Sequence, residues 1–204
     1  MPVIVVANPK GGVGKSTFST NLAGYFAAQG HHVMLGDADV QQSSHTWLSL
    51  RPANLPVIHA WDMKQGHIAK LPKGTNSHIV IDTPAGLSGA KLDAVLKLAD
   101  KVIVPLQPSI FDILATDEFL RKLAKREGKF DVGILGMRVN ARSCASEQLE
   151  LYVKQLGLPV LGYLRDTQNY IQFAAHGATL WDVAESKVEK DLAQWEPILK
   201  WIEK

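Results

Sequence analysis

The chain has 204 residues, 46% of them hydrophobic and 21% charged, which is enough to bury one core and excludes a disordered or collagen-like polymer. Its 22 Lys and Arg against 20 Asp and Glu leave a formal charge of +2, so any contact with nucleic acid has to come from a local patch. A single cysteine, Cys144, rules out an intrachain disulfide, a CxxC redox pair and a cysteine-based zinc site, and favours a reducing, cytosolic location.

Met1-Pro2 leads directly into the apolar run Val3 to Ala7 with no basic n-region or cleavage site, so no signal peptide is expected. No apolar run approaches the roughly 20 residues that span a bilayer, and the protein is expected to be soluble. Along the chain, Val3 to Ala7, Val33 to Leu35, Ile79 to Ile81, Val102 to Val104, Val132 to Leu135 and Pro159 to Gly162 read as strands. Several are apolar without alternation, the pattern of parallel strands covered on both faces. Between them, residues 16–29 place Phe18, Leu22, Tyr25 and Phe26 on one helical face, and residues 112–127 do the same with Ile113, Leu120, Leu123 and Ala124. The stretch Arg51 to Asn76, punctuated by Pro52, Pro56, Pro72 and Gly74, reads as a surface excursion with a short strand near Val57. Repeated strand-helix alternation without repeats or a linker predicts one domain over residues 1–204, a doubly wound, mostly parallel α/β sheet flanked by helices.

Asn8-Pro9-Lys10-Gly11-Gly12-Val13-Gly14-Lys15-Ser16-Thr17 follows the first strand and opens a helix. Glycines let successive N–H groups turn inward, and the helix dipole adds positive potential where a polyphosphate would sit. Lys15 would reach the β- and γ-phosphates, and the Ser16 hydroxyl would complete a magnesium coordination sphere.

An ordinary phosphate loop begins with glycine, whereas Pro9 stands in that position here and a second lysine, Lys10, follows. The segment resembles the deviant Walker A motif, xKGGxxK[ST], of the ParA/MinD group of P-loop ATPases. The resemblance implies that Lys10, Gly11, Gly12, Val13, Gly14, Lys15, Ser16 and Thr17 bind ATP. It also implies that Lys10 reaches across a nucleotide-sandwich dimer to the partner's phosphates. Asp37-Ala38-Asp39-Val40-Gln41-Gln42 is similar to the family's D-x-D-P-Q segment, with Val40 in place of proline. That match makes Asp39 the carboxylate that orients or deprotonates the attacking water and stands near the metal; an isolated acid in a loop is more often a helix cap, here for a helix starting near Ser43. Ile79-Val80-Ile81-Asp82-Thr83-Pro84 is similar to a Walker B strand, which assigns Asp82 to a water on Mg2+. The family often reads adenine with an asparagine at the strand end that Asn140 occupies, and Arg165 lies in a stretch resembling the family's segment beside the base; Asn140 is also an ordinary turn residue.

The chain looks like the short ParA/ParF-type subgroup, which implies nonspecific DNA binding by an ATP dimer and hydrolysis stimulated by a ParB-like or cargo-adaptor partner. Two basic groups could supply the DNA contact. One is the helical cluster Arg121, Lys122, Lys125, Arg126 and Lys129; the other is Lys187 with Lys190, and either is otherwise a solvated surface. A cytoplasmic protein, nucleoid-associated when ATP-bound, is the expected behaviour. The apolar stripe Val188, Leu192, Trp195, Leu199 and Ile202 is flanked by equal numbers of cations and anions, so core packing rather than membrane binding is expected of it. A MinD-like membrane-cycling ATPase and a weakly hydrolysing, nucleotide-gated scaffold are the alternatives. The cysteine count excludes the group's iron–sulfur carriers, and the seven histidines show no metal spacing.

Overall fold

The computed structural model describes residues 2–39, 41–61, 63, 76–125, 130–139, 144–155 and 157–204. The elements run β1 (Val3–Val6), α1 (Lys15–Ala28), β2 (His32–Asp37), α2 (Ser43–Ser49), β3 (His59–Trp61), β4 (Ser77–Asp82) and α3 (Gly89–Leu96). They continue with β5 (Lys101–Leu106), α4 (Ile110–Ala124), β6 (Asp131–Met137), α5 (Cys144–Gln155), β7 (Val160–Leu164), α6 (Gln168–Ala174) and α7 (Glu189–Ile202). Two 3-10 turns, Leu180–Asp182 and Glu185–Lys187, lie between α6 and α7.

The strands form one seven-stranded sheet in the order β3-β2-β4-β1-β5-β6-β7. Every described strand pair is parallel, as the unbroken apolar runs predict. Alternate residues of β1 serve the two faces: Val3 and Val5 pack with residues of α3, α4 and α5, while Ile4 and Val6 pack with α1, α6 and α7. After β4 the chain crosses over β1 to build the other half of the sheet, so β1 lies at the reversal of strand order, where open α/β sheets bind ligands. β5 tolerates Pro105 although it is a central strand. The register of β1 on β5 ends at Val6 with Ile103, and the Pro105 carbonyl turns to the Asn8 side chain rather than to a strand.

Two expectations shift. The strand expected near Val57 forms instead at His59–Trp61, and Val57 is 63% exposed; a turn from Pro52 to Leu55 and Pro56 behind it delay the extended pairing. The helix expected at 16–29 is not one-sided. Ser19, Thr20, Asn21, Ala23, Gly24 and Ala27 are buried along with Phe18, Leu22 and Phe26, because α1 is wedged between the sheet and the chain around Leu180. Gly24 is needed there: a Cβ would fall 2.4 Å from Thr179 Oγ1. In α7, Trp195, Ile198 and Ile202 are buried, and Trp195 stacks on Phe18 with ring centroids 4.8 Å apart, so the stripe belongs to the core.

A buried ion pair joins the end of α2 to the turn before α7. Arg51 donates through Nη1 and Nη2 to both carboxylate oxygens of Asp182 at 2.9 Å, and through Nη1 to the Gly177 carbonyl at 3.0 Å. Asp182 also accepts from the backbone N–H and hydroxyl of Thr179, each at 2.7 Å. Removing one partner of such a pair strands the other charge out of water. Arg51→Ala should therefore lower the unfolding free energy in urea by about 3–5 kcal/mol; a loss typical of a surface pair, below about 1 kcal/mol, refutes the buried clasp.

Candidate functional site

Past Val6 the chain turns through Ala7 to Gly14 and enters α1. Gly12 and Gly14 have φ of +74° and +94°, and Gly14 directly precedes the helix. At Gly14 a Cβ would also meet Met137 Cε at 2.6 Å, so both conformation and space demand glycine. Buried Asn8 organises the loop from below, donating to the Pro105 carbonyl at 2.8 Å and accepting the Lys10 N–H at 2.8 Å. Gly86 N–H reaches the Pro9 carbonyl at 2.7 Å and Gln107 Nε2 the Gly12 carbonyl at 3.2 Å. No side chain caps the N-terminus of α1, so its first N–H groups stay available to an anion.

The two lysines of the loop part company. Lys15 is buried and donates from Nζ to the Lys10 carbonyl at 2.9 Å. Burial pulls its ammonium below the usual lysine range, opposed by the Asp82 and Asp39 carboxylates. Lys10 sends its ammonium out of the loop to an ion pair with Asp112 in the first turn of α4, and its side chain stays 40% exposed.

Acids converge from the neighbouring strands. Register sets Val6 level with Asp82 and Asp82 level with Asp37, so the loop and both carboxylates leave the sheet side by side. Asp37 accepts the N–H groups of Asp39 at 2.9 Å, Ser44 at 2.8 Å and His45 at 3.1 Å, which fixes the turn into α2. Asp39 is half-buried on that turn, and its carboxylate accepts only the Gln41 N–H, at 3.0 Å, among the hydrogen bonds of the described residues. Gln42, at φ +49°, completes the turn in a left-handed conformation.

Asp82 is 1% exposed. Ser44 donates to its Oδ2 at 2.7 Å, while Oδ1 is buried without a hydrogen-bond partner. Burial pushes its pKa up to about 6; the Ser16 and Ser44 hydroxyls and Lys15 resist that rise, and Asp37 adds to it. A serine hydroxyl beside a carboxylate with one open oxygen suits a hard, oxygen-seeking divalent cation such as Mg2+. Thr83, next in the chain, donates to the Val6 carbonyl at 2.8 Å and locks β4 to β1.

Gly11, Gly12, Val13, Gly14, Lys15, Ser16, Thr17, Asp39 and Asp82 thus lie around one mouth of the sheet, with Lys10 on its rim. Asn140 and Arg126 fall outside the described residues. Arg165 follows β7, but its Nε is paired with buried Asp191 of α7, which also accepts from Asn169 at 2.6 Å. On α4, Arg121 pairs with Asp117 and Lys122 with Glu118, each one turn earlier, whereas Lys125, Lys187 and Lys190 are exposed. Sequence reasoning missed Asn8, Asp37, Ser44, Gln107 and Asp112. The spacing of Glu118 and Lys122 was readable in the sequence; the contacts of the five missed residues depend on elements distant along the chain or on turn geometry.

The raised Asp82 pKa has a consequence for stability. A carboxyl that holds its proton more tightly when folded loses stability as pH rises from 3.8 to about 6, and at pH 7 the whole cost is present. In denaturation without metal or nucleotide, Asp82→Asn should be more stable than the parent chain by about 1–3 kcal/mol at pH 7 and equal to it near pH 4. A variant less stable at pH 7 refutes the uncompensated burial.

A profile of the CobQ/CobB/MinD/ParA nucleotide binding domain matches residues 4–180. Over 181 residues the chain is 30% identical to the maintenance of carboxysome distribution protein A of Gloeobacter kilaueensis, covering 87% of this chain and 83% of that one. It is 27% identical to the chromosome-partitioning ATPase Soj of Thermus thermophilus over 188 residues, 74% and 75% of the two chains. Its fold superposes on the MinD cell division protein of Aquifex aeolicus with a TM-score of 0.75 at 20% identity, covering 100% and 98%. A phosphate loop with a second lysine, set at the centre of a parallel sheet and matched over this length, makes the chain a member of the ParA/MinD family of nucleotide-binding proteins.

Proposed function

We propose that this chain is a ParA-like ATPase whose ATP-bound form is a sandwich homodimer that binds DNA without sequence preference and positions a cargo. Hydrolysis is slow until a ParB-like or cargo-adaptor partner stimulates it. The observation that carries this reading is the divergence of the two loop lysines. Lys15 serves its own loop, while the Lys10 ammonium stands on the rim against Asp112 of α4, a helix whose Phe111 and Leu114 are 76% and 64% exposed. A cation turned out of its own loop, near the start of a helix with exposed apolar side chains, suits a second copy bringing its own phosphates.

In this reading the loop N–H groups from Gly11 to Thr17 and the Lys15 ammonium hold the phosphates. The Ser16 hydroxyl would hold Mg2+ and an oxygen of Asp82 a water on it, with Asp39 close by; the ion would supply charge neutralisation for the phosphates. Asp39, tethered by Asp37 through its N–H, orients the attacking water and takes its proton. Asn140 and Arg165 flank the base. Arg165 would do so from its anchor on Asp191.

For DNA, Lys187 and Lys190 are favoured over Arg121 and Lys122, whose charges are already matched by carboxylates within α4; Lys125 and Arg126 would extend that weaker group. The buried stripe of α7 leaves that helix no apolar face for lipid, and among the described residues no helix is long and apolar enough to cross a membrane. A cytoplasmic, nucleoid-associated protein is the matching location. The relatives named above are connected with carboxysome distribution and chromosome partitioning, so the cargo is a plasmid, a chromosome or a protein assembly.

Sedimentation tests the switch. An Asp39→Ala chain saturated with ATP should run as a dimer, adding Lys10→Ala should return it to monomer while calorimetry still shows nucleotide binding, and Lys15→Ala should bind no nucleotide. A hydrolysis-blocked, ATP-saturated chain that remains monomeric overturns the proposal. Retention of DNA by the dimer should fall by orders of magnitude between about 50 and about 200 mM salt, and a flat response overturns the phosphate-contact mode.

A further inference from the structure

We propose that Ser44 is a positioning residue for Asp82: its hydroxyl occupies one carboxylate oxygen and thereby reserves the other for the water of a divalent cation. The inference rests on the reading of this mouth as a Mg2+-nucleotide site. Four observations support it. Ser44 is fully buried and donates from Oγ to Asp82 Oδ2 at 2.7 Å. Its position is fixed in turn, because Asp37 accepts its backbone N–H at 2.8 Å and that of His45 at 3.1 Å. Asp37 and Asp82 are register partners on β2 and β4, so the α2 turn anchored on Asp37 sits beside Asp82. Asp82 Oδ1 is buried and has no hydrogen-bond partner.

The terminal torsion of an aspartate is soft and nearly two-fold, so an unrestrained carboxylate offers either oxygen to its surroundings. A serine hydroxyl has one proton, and here it is committed to Oδ2. That leaves Oδ1 as a pure acceptor, the character a metal-bound water requires. Ser44 also follows the turn that carries Asp39, so the same bond ties that turn to Asp82. The coupling is invisible to motif reading, since the two side chains are 38 positions apart.

Calorimetry of ADP binding with EDTA, and again with saturating Mg2+, separates this role from a general structural one. The ratio of the two affinities is the Mg2+ gain. Ser44→Ala should leave affinity in EDTA at the parent value and cut the Mg2+ gain by about tenfold, the effect of one hydrogen bond to a charged group. Ser44→Thr, which keeps the hydroxyl, should restore the gain. In an Asp82→Asn background Ser44→Ala should change the gain no further. An unchanged gain in Ser44→Ala overturns the proposal, as does an equal loss of affinity with and without Mg2+. Should the alanine variant fail to fold, Ser44→Cys keeps the volume with a weak donor and must show the reduced gain. If the parent chain binds ADP in neither condition, the nucleotide-site reading itself fails, an outcome distinct from loss of the Mg2+ gain alone.

Discussion

Asp82 is a carboxylate held out of water at the end of a strand covered on both faces, and the mouth of the sheet is arranged around that constraint. Taking an ion out of water costs several kcal/mol even after relaxation. Compensation comes from Ser44 on one oxygen and from Lys15 and Ser16 nearby, but it is incomplete, as the upward pKa displacement to about 6 records. Lys15 is strained in the complementary sense, with burial disfavouring its charge and the carboxylates of Asp82 and Asp39 favouring it. A buried acid and base, each short of full satisfaction, form a site that gains when a polyanion and a divalent cation enter together.

The second loop lysine cannot be accommodated in the same way. Two ammonium groups beside one another, both desolvated, would repel, and with Lys15 already inside, Lys10 is turned outward to Asp112. Lys10 is partly exposed, so its end of that pair is screened by solvent, while the Asp112 end is buried. A triphosphate brought to within 4 Å of Lys10 would attract it by about 4 kcal/mol at an effective dielectric near 20, before desolvation. The exposed side of Lys10 lets it turn to another anion at the cost of leaving Asp112 without that cation, an exchange that a pair buried at both ends, such as Arg51 with Asp182, would resist more strongly.

What the sequence made legible is what is contiguous in it. The phosphate loop is a single run whose glycines, lysines and hydroxyls state their own geometry, and the parallel sheet follows from apolar strands separated by helices. The spacing of Phe18, Leu22, Tyr25 and Phe26 marks one face of the helix at 16–29 but cannot show that Ser19, Thr20 and Asn21 are buried too, Asn21 accepting the Leu180 N–H at 3.2 Å. Arg121 and Lys122 fit a DNA contact or a solvated surface when the cations alone are counted, and Asp117 and Glu118 one turn away favour the second. Ser44 and Asp112 could not be found at all, since a hydroxyl or a carboxylate acquires its role only when strand order sets it against a partner far along the chain.

Charge elsewhere in the molecule shows why the open oxygen of Asp82 belongs to the site and is not a lapse of packing. Lys101, at the opposite end of the sheet, is buried yet held three ways, by Asp131 at 3.3 Å, by the Trp201 carbonyl at 3.1 Å and by the Trp201 ring at 4.5 Å. Asp191 is buried with Arg165 on one oxygen and Asn169 on the other, and both oxygens of Asp37 accept backbone N–H groups. At these three residues the chain satisfies a buried charge with its own groups. At Asp82 it satisfies one oxygen with a buried hydroxyl and leaves the second bare, next to a phosphate loop and a serine that could share a cation with it. A carboxylate oxygen left without a hydrogen bond beside a phosphate loop, where a ligand bringing a cation would complete it, is how a fold can hold stability in reserve for binding.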